Sequence, residues 1–347
     1  MRIVAFSERL GPPFDEGIKN FAVQLIRALR AEHDVLALST IASPASDSGI
    51  VGTSANRLLL SWPLRAAIRG FNPELTVYIP TACGTVFSFL RARVLRMYGC
   101  GAPTGLVALQ PRPYSAAGQW WVRHLASDCA FAQSRRTART LADLGCRTAL
   151  LPPAVDAQRF APAPPAARAA LRLRYGIPTE ATVATHVGHL KSKRNLVQIA
   201  SLQASDRYHT VIVGSSSTEQ DQVLKQALRG AGCTVIDGYV QDIAEVYRLS
   251  DVYLFLAEEY TAAIEMPLSV LEAMACNLAV VSTPFGGLPD AFQAGNGLAY
   301  WQGGSSLTDC IEMALSAPRA TRELVEQRTW PGLARTVVQN LRRMPLR

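Results

Sequence analysis

Short apolar runs alternate with amphipathic stretches along most of the chain. Ile3–Phe6, Val35–Leu38, Leu75–Ile79, Gly105–Leu109 and Cys129–Ala132 read as strands in the first half. Between the first two, Ile18, Phe21, Ala22, Leu25, Ile26 and Leu29 form an apolar stripe at helical spacing. A proline-rich stretch then interrupts the pattern at Pro152, Pro153, Pro162, Pro164 and Pro165, and reads as a linker. The alternation resumes with strands at Thr182–Val187, Thr210–Val213, Thr234–Ile236, Val252–Leu256 and Leu278–Ser282. Helices are predicted at Asn195–Leu202, Glu219–Arg229, Ile243–Leu249 and Ser269–Ala275. Strand–helix alternation argues for parallel sheets covered on both faces, and its recurrence predicts two doubly wound α/β domains. The expected division is residues 1–160, residues 161–328 and a closing segment 329–347.

Composition adds little to this picture and charge adds more. The 347 residues are 49% hydrophobic and 18% charged, as in ordinary globular chains. No apolar run reaches the roughly 20 residues that span a bilayer. The start, MRIVAF, reads as a strand with no signal peptide before it, so a cytoplasmic location is expected. The seven cysteines form no C-x-x-C pair and read as reduced thiols, and the five histidines show no metal-site spacing, so no metal is expected. The net charge is +8. Residues 1–160 carry 18 Lys+Arg against 10 Asp+Glu, whereas residues 161–347 carry 17 of each. An acidic partner or an anionic membrane surface suits so basic a half; an arginine-rich composition without a role is the alternative.

Three segments carry candidate chemistry. In EEYTAAIEMPLSVLEAMACNLAVVSTPFGGLPD, Pro267 stands where a helix can begin, and the backbone amides of Ser269 and Val270 would face a phosphate. Glu272 is expected in the first turn, where the helix dipole favours an acid whether or not it binds anything. In THVGHLKSKRNL a strand ends at Gly188 and a basic loop follows with His189, Lys191, Lys193 and Arg194; a solvated turn is the alternative. In SERLGPPFDEGIKNFAVQL, Gly17 opens the amphipathic helix, so that helix amides point beyond the strand ends; a plain turn and cap explains it equally.

Together these segments resemble retaining glycosyltransferase family 4, whose fold is GT-B: two Rossmann-like domains facing across a cleft. LEAMACNLAVVST and GGLPD stand where that family has A-M-A-C-G, V-V-A/S-T and G-G-x-P-E. The resemblance implies that Glu272 hydrogen-bonds the ribose of a nucleotide. The family's preceding glutamate, which contacts the transferred sugar, would fall at Ile264; Glu265 beside it is then the expected replacement, and a sugar held differently is the alternative. In the family pattern V-G-R-L-x-x-x-K-G, His189 takes the arginine position and Arg194 the lysine position, which implies that they hold the donor diphosphate, with Lys193 assisting. Backbone near Val240 is implied to contact the base, and RTWPGLARTVV to close the chain by returning to the first domain; Gln110 stands where the family often has a histidine and could hydrogen-bond the sugar, a strand-end surface residue being the alternative.

The implied activity is retaining transfer of a sugar from a nucleoside-diphosphate sugar, UDP- or GDP-linked, without a cofactor. The acceptor would be acidic or lipid-linked, and no nucleic acid is expected. The alternatives are a GT-B epimerase or phosphorylase and a non-enzymatic nucleotide-sugar-binding protein. Finally, in ACGTVFSFLRARVLRMYG a helical projection groups Phe87, Leu90, Val94, Met97 and Tyr98 on one face and Phe89, Arg93 and Arg96 on another. A basic face with an exposed Phe89 would suit peripheral contact at the inner membrane face; an ordinary surface helix is the alternative.

Overall fold

A computed structural model describes residues 1–41, 49–216 and 220–344. The chain forms two compact units. Unit 1 comprises Met1–Pro152, the tripeptide Ile264–Met266 and Trp330 onward; unit 2 comprises Pro153–Ala263 and Pro267–Thr329. The division therefore falls at the first prolines of the predicted linker rather than at residue 160.

Unit 1 is built on strands β1 (Arg2–Phe6), β2 (Asp34–Ser39), β3 (Ile50–Gly52), β4 (Leu75–Tyr78), β5 (Thr104–Ala108), β6 (Cys129–Ala132) and β7 (Thr148–Leu150). They pair in parallel in the order β3-β2-β1-β4-β5-β6-β7. Helices α1 (Gly17–Arg30), α2 (Trp62–Phe71), α3 (Val86–Tyr98), α4 (Ala116–Leu125) and α5 (Arg135–Asp143) follow β1, β3, β4, β5 and β6 respectively. Unit 2 contains α6 (Pro165–Arg174), α7 (Leu196–Ala200), α8 (Gln222–Gly230), α9 (Ala244–Leu249), α10 (Leu268–Ala275), α11 (Leu288–Ala291) and α12 (Leu307–Ser316). Its strands are β8 (Thr182–Gly188), β9 (Tyr208–Gly214), β10 (Thr234–Ile236), β11 (Val252–Phe255), β12 (Ala279–Ser282) and β13 (Leu298–Tyr300). They pair in parallel in the order β10-β9-β8-β11-β12-β13. The last helix, α13 (Trp330–Arg342), lies against α1 in unit 1, where the Trp330 and Phe21 rings meet edge to face at 5.4 Å.

Every predicted strand is present. The three unpredicted strands, β3, β7 and β13, are three residues long and lie at sheet edges. A three-residue strand is too short to show a periodic pattern in the sequence. Of the predicted helix Glu219–Arg229, Glu219 lies outside the described residues, and α8 begins at Gln222 with the Asp221 carboxylate capping Leu224 N.

The projection for α3 is corrected. Phe89 is fully buried, in one apolar cluster with Leu64 and Ile68 of α2, Val122 of α4, and Phe6 and Leu106 of the sheet. Phe87 and Met97 are the exposed residues instead. The physical reason is that α3 packs against the sheet and against both α2 and α4, so more than one of its faces is covered. All seven cysteines are free and only Cys100 is exposed. No helix among the described residues is long and apolar enough to cross a membrane.

Candidate functional site

In unit 2 the central strand β8 ends at Gly188, and the chain turns back through Ser192–Arg194 to a left-handed Asn195 (φ 52°). Asn195 Nδ2 donates to Leu256 O at 2.9 Å, which fixes the turn to the end of β11. This places Arg194 inside the protein, 6% exposed, with its guanidinium 5.2 Å from the Phe255 ring centre and Nη2 donating to Ala262 O at 2.6 Å. No carboxylate pairs with it among the described residues. Burial lowers its pKa to about 10, which leaves it a cation at neutral pH. A buried charge without a counter-charge is costly, and an anion entering beside it would relieve that cost.

His186, fully buried on the same strand, lies behind the glycine. Its Nδ1 is 2.9 Å from Leu254 O, and since a carbonyl only accepts, Nδ1 donates and Nε2 carries the lone pair. Burial foremost, and then Arg194, push its pKa down to about 3. A Cβ on Gly188 would sit 3.1 Å from His186 Nε2 and 3.6 Å from Arg194 Nη1, so the missing side chain keeps open the space between them. The other basic residues of the loop are less buried. His189 is partly exposed, and Lys193 is exposed and paired with Glu259.

Helix α10 begins at Leu268, and its N-cap, Pro267, offers no side-chain cap. Val270 N already donates to Pro267 O at 3.1 Å, so the expected pair of phosphate-facing amides reduces to that of Ser269. Glu272 lies beyond the first turn, not within it, and another contact holds it: Tyr247 OH donates to Glu272 Oε2 at 2.9 Å. Although part of its surface meets solvent, burial of its carboxyl away from water raises the pKa to about 7, against the lowering effects of Tyr247 and Arg159.

Tyr253 of β11 links the two groups. Its hydroxyl donates to Val187 O at 3.2 Å, hydrogen-bonds the Ser269 side chain, and interacts electrostatically with both Arg194 and Glu272. Unit 2 thus brings Gly188, Arg194, Ser269 and Glu272 around one buried tyrosine. Val240 stands apart, with its side chain turned into an apolar cluster with Ile177 and Val246, so only its backbone can serve a ligand. Reading the sequence missed Tyr247, Tyr253 and His186. Tyr247 and Tyr253 lie in the segment GYVQDIAEVYRLSDVYLFLA, but only pairing across elements shows what they touch.

The other predicted residues lie at the carboxyl ends of the unit 1 strands. Gly17 starts α1 after β1, and no side chain caps its first turn. Ile264 packs beside it, 3.7 Å from where a Gly17 Cβ would be. Gln110, following β5, has its Oε1 3.5 Å from Cys83 Sγ and 3.3 Å from the Arg112 guanidinium that donates to it. Glu265 is 2% exposed. Its Oε1 accepts from Ser134 Oγ at 2.6 Å and Thr137 Oγ1 at 2.7 Å, and its backbone N donates to Leu109 O at 2.8 Å. No group of three metal-ligating side chains occurs among the described residues.

Residues 182–316 match the family described as Glycosyl transferases group 1, which bears out the resemblance read from the second half of the chain. D-inositol 3-phosphate glycosyltransferase of Geodermatophilus obscurus is 31% identical over 166 residues, 43% of this chain and 35% of that protein. The matches span about a third of the length of the curated relatives. Among solved structures, Anabaena HepE in complex with UDP aligns with a TM-score of 0.77 at 15% identity, covering 99% of this chain and 100% of that one. Sucrose-phosphate synthase of Thermosynechococcus elongatus aligns with a TM-score of 0.77 at 16% identity, covering 98% of both chains. The fold is therefore GT-B, and residues 182–316 of unit 2 are similar to the group 1 glycosyl transferases.

Proposed function

We propose that the chain is a retaining glycosyltransferase whose unit 2 holds a nucleoside-diphosphate sugar. The observation that carries this reading is the buried Arg194, a cation without a carboxylate partner among the described residues, beside a glycine strand end and an uncapped helix start. In the transfer, the bond between the anomeric carbon and the diphosphate oxygen breaks, and an acceptor hydroxyl bonds to the same face of that carbon. Its proton passes to the departing diphosphate. Arg194 and the Ser269 amide stabilise the charge that develops on the leaving group. Glu272 accepts from the ribose hydroxyls through the oxygen that Tyr247 leaves open. No metal or cofactor enters this scheme, and the acceptor is acidic or lipid-linked.

UDP in the HepE complexes makes it the first nucleotide to try, with GDP second. Titration calorimetry should show one of them binding, and Arg194→Ala should weaken that binding by about 100-fold, as expected for losing a buried charge-assisted contact. Equal affinity in the variant would overturn the site.

The position of Glu265 favours a second reading, binding without transfer, because its Oε1 is already engaged by two hydroxyls. Release of free nucleoside diphosphate from the donor in the presence of sugar acceptors supports transfer. Tight binding with no release supports the second reading.

A further inference from the structure

In unit 1, helices α2, α3 and α4 lie side by side over one face of the sheet. Their outer surface has an unusual composition. Residues 48–127 contain eight arginines, no lysine and a single acid, Glu74. The arginines divide by direction. Arg91 and Arg96 are mostly covered and neutralised, by Glu8 at 2.9 Å and Asp128 at 3.1 Å. Arg65, Arg69, Arg93 and Arg123 are exposed and have no carboxylate partner among the described residues.

Large apolar side chains stand between these exposed arginines. Trp62, Phe87, Met97, Trp120 and Trp121 are each about half exposed or more. Their placement follows from the helix contacts. Ser61 N donates to Tyr98 OH at 3.2 Å, so the start of α2, with Trp62, lies near the Met97 end of α3. A Cβ on Gly118 of α4 would be 3.5 Å from the Val86 side chain, so Trp120 and Trp121 follow near the Phe87 end. The apolar groups are thus distributed along both ends of a three-helix layer and not gathered into one groove. The layer's own core is complete without them, through Leu64, Ile68, Phe89, Leu95 and Val122.

We propose that this face docks on an anionic lipid bilayer. Tryptophan and phenylalanine insert at the level of the headgroups, while arginines hold the lipid phosphates with their heads in water. A broad surface with apolar groups at intervals and cationic groups between them fits a flat partner of opposite charge. A nucleic acid would use the arginines but would leave Phe87 and Met97 without a role. The inference does not rest on the donor site, which lies in unit 2.

The test is co-sedimentation of the full chain with vesicles of phosphatidylcholine alone or with about 30% phosphatidylglycerol. Binding should be at least tenfold stronger to the anionic vesicles and should weaken as salt is raised. Each arginine contributes about fivefold near such a surface, so R65Q/R69Q/R93Q/R123Q should abolish measurable binding. W120S/W121S should reduce it and should remove the quenching of tryptophan fluorescence by lipids brominated in the acyl chain. Both variants should keep the wild-type melting temperature and its shift by nucleoside diphosphate, which shows that they are folded. The proposal is overturned if the folded wild type ignores anionic vesicles, if it binds both vesicle types equally, if the quadruple variant binds as before, or if the face retains RNA but no vesicles.

Discussion

Glu265 and Glu272 are seven residues apart in the chain, yet they belong to different units and meet opposite surroundings. In unit 1, Glu265 sits at the start of α5, where Ser134 and Thr137 both donate to one of its oxygens. Ser134 also caps α5 by accepting from Thr137 N at 3.0 Å, so one carboxylate organises the cap of a helix. In unit 2, Glu272 has one hydroxyl donor, Tyr247, and surroundings that raise its pKa to about 7. The first carboxylate has two hydroxyl donors on one oxygen and is tied to the start of α5. The second is under-supplied with donors, as a group that awaits a ligand's hydroxyls would be. Two carboxylates seven residues apart thus differ in the donors that the fold brings to them.

Removing each carboxylate should separate the two roles. Glu265→Ala leaves two buried hydroxyls without their acceptor and should lower stability by about 3 kcal/mol. Its nucleoside-diphosphate affinity, measured by calorimetry, should stay within twofold of wild type if only the unit 1 framework is disturbed. Glu272→Ala should do the reverse. Affinity should fall by roughly 30-fold, about 2 kcal/mol, while denaturant unfolding changes little. A Glu265 variant that binds nucleotide poorly but melts normally would collapse the distinction.

How far the sequence could anticipate this differs between the units. The central strands are legible because burial on both faces demands unbroken apolar runs, as in Leu254 and Phe255 of β11. Arg194 and Glu272 are legible because they stand in motif positions whose spacing is local. Tyr253 is not, because its role depends on Arg194 and Glu272, which come from two other elements. Nor is the engagement of Glu265, whose partners lie 128 and 131 residues away. The exchange of Phe87 for Phe89 has a similar cause. A helical projection assigns faces relative to one covering surface, and α3 has three neighbours.

The pKa difference offers a sharper probe of Glu272. Its carboxyl has a pKa of about 7 in the folded protein against the ordinary 4.5. The neutral acid therefore contributes stability that is fully present below pH 4.5 and lost as pH rises through 7. Glu272→Gln should be more stable than wild type at pH 8, by about 2 kcal/mol once partial exposure is allowed for, and equal to it at pH 4. Urea unfolding at both pH values measures this. A constant difference would mean that the carboxyl does not titrate in this range. Donor affinity should weaken in the wild type as pH falls through 7, since a protonated carboxyl must use one oxygen as a donor. A nucleoside-diphosphate sugar is the ligand to use, because it has no phosphate group titrating near there.

The smallest expected effect tests the other side of the comparison. Thr137 Oγ1 donates to Glu265 Oε1 at 2.7 Å, and Ser134 Oγ donates to the same atom at 2.6 Å. Thr137→Val keeps the shape of the side chain and deletes one of the two donors. The Ser134 bond and its cap on Thr137 N remain, so the carboxylate loses only part of its support. The loss should be about 1.5 kcal/mol, the lower end for a bond to a charged group, because the Ser134 hydroxyl still holds the oxygen. Combined with Glu265→Gln, the two losses should fall short of their sum, since both act on one contact. Additive losses in chemical denaturation would show that Thr137 stabilises α5 by some route other than Glu265. The bond from Ser134 and the backbone bond to Leu109 would then matter more to holding Glu265 in place.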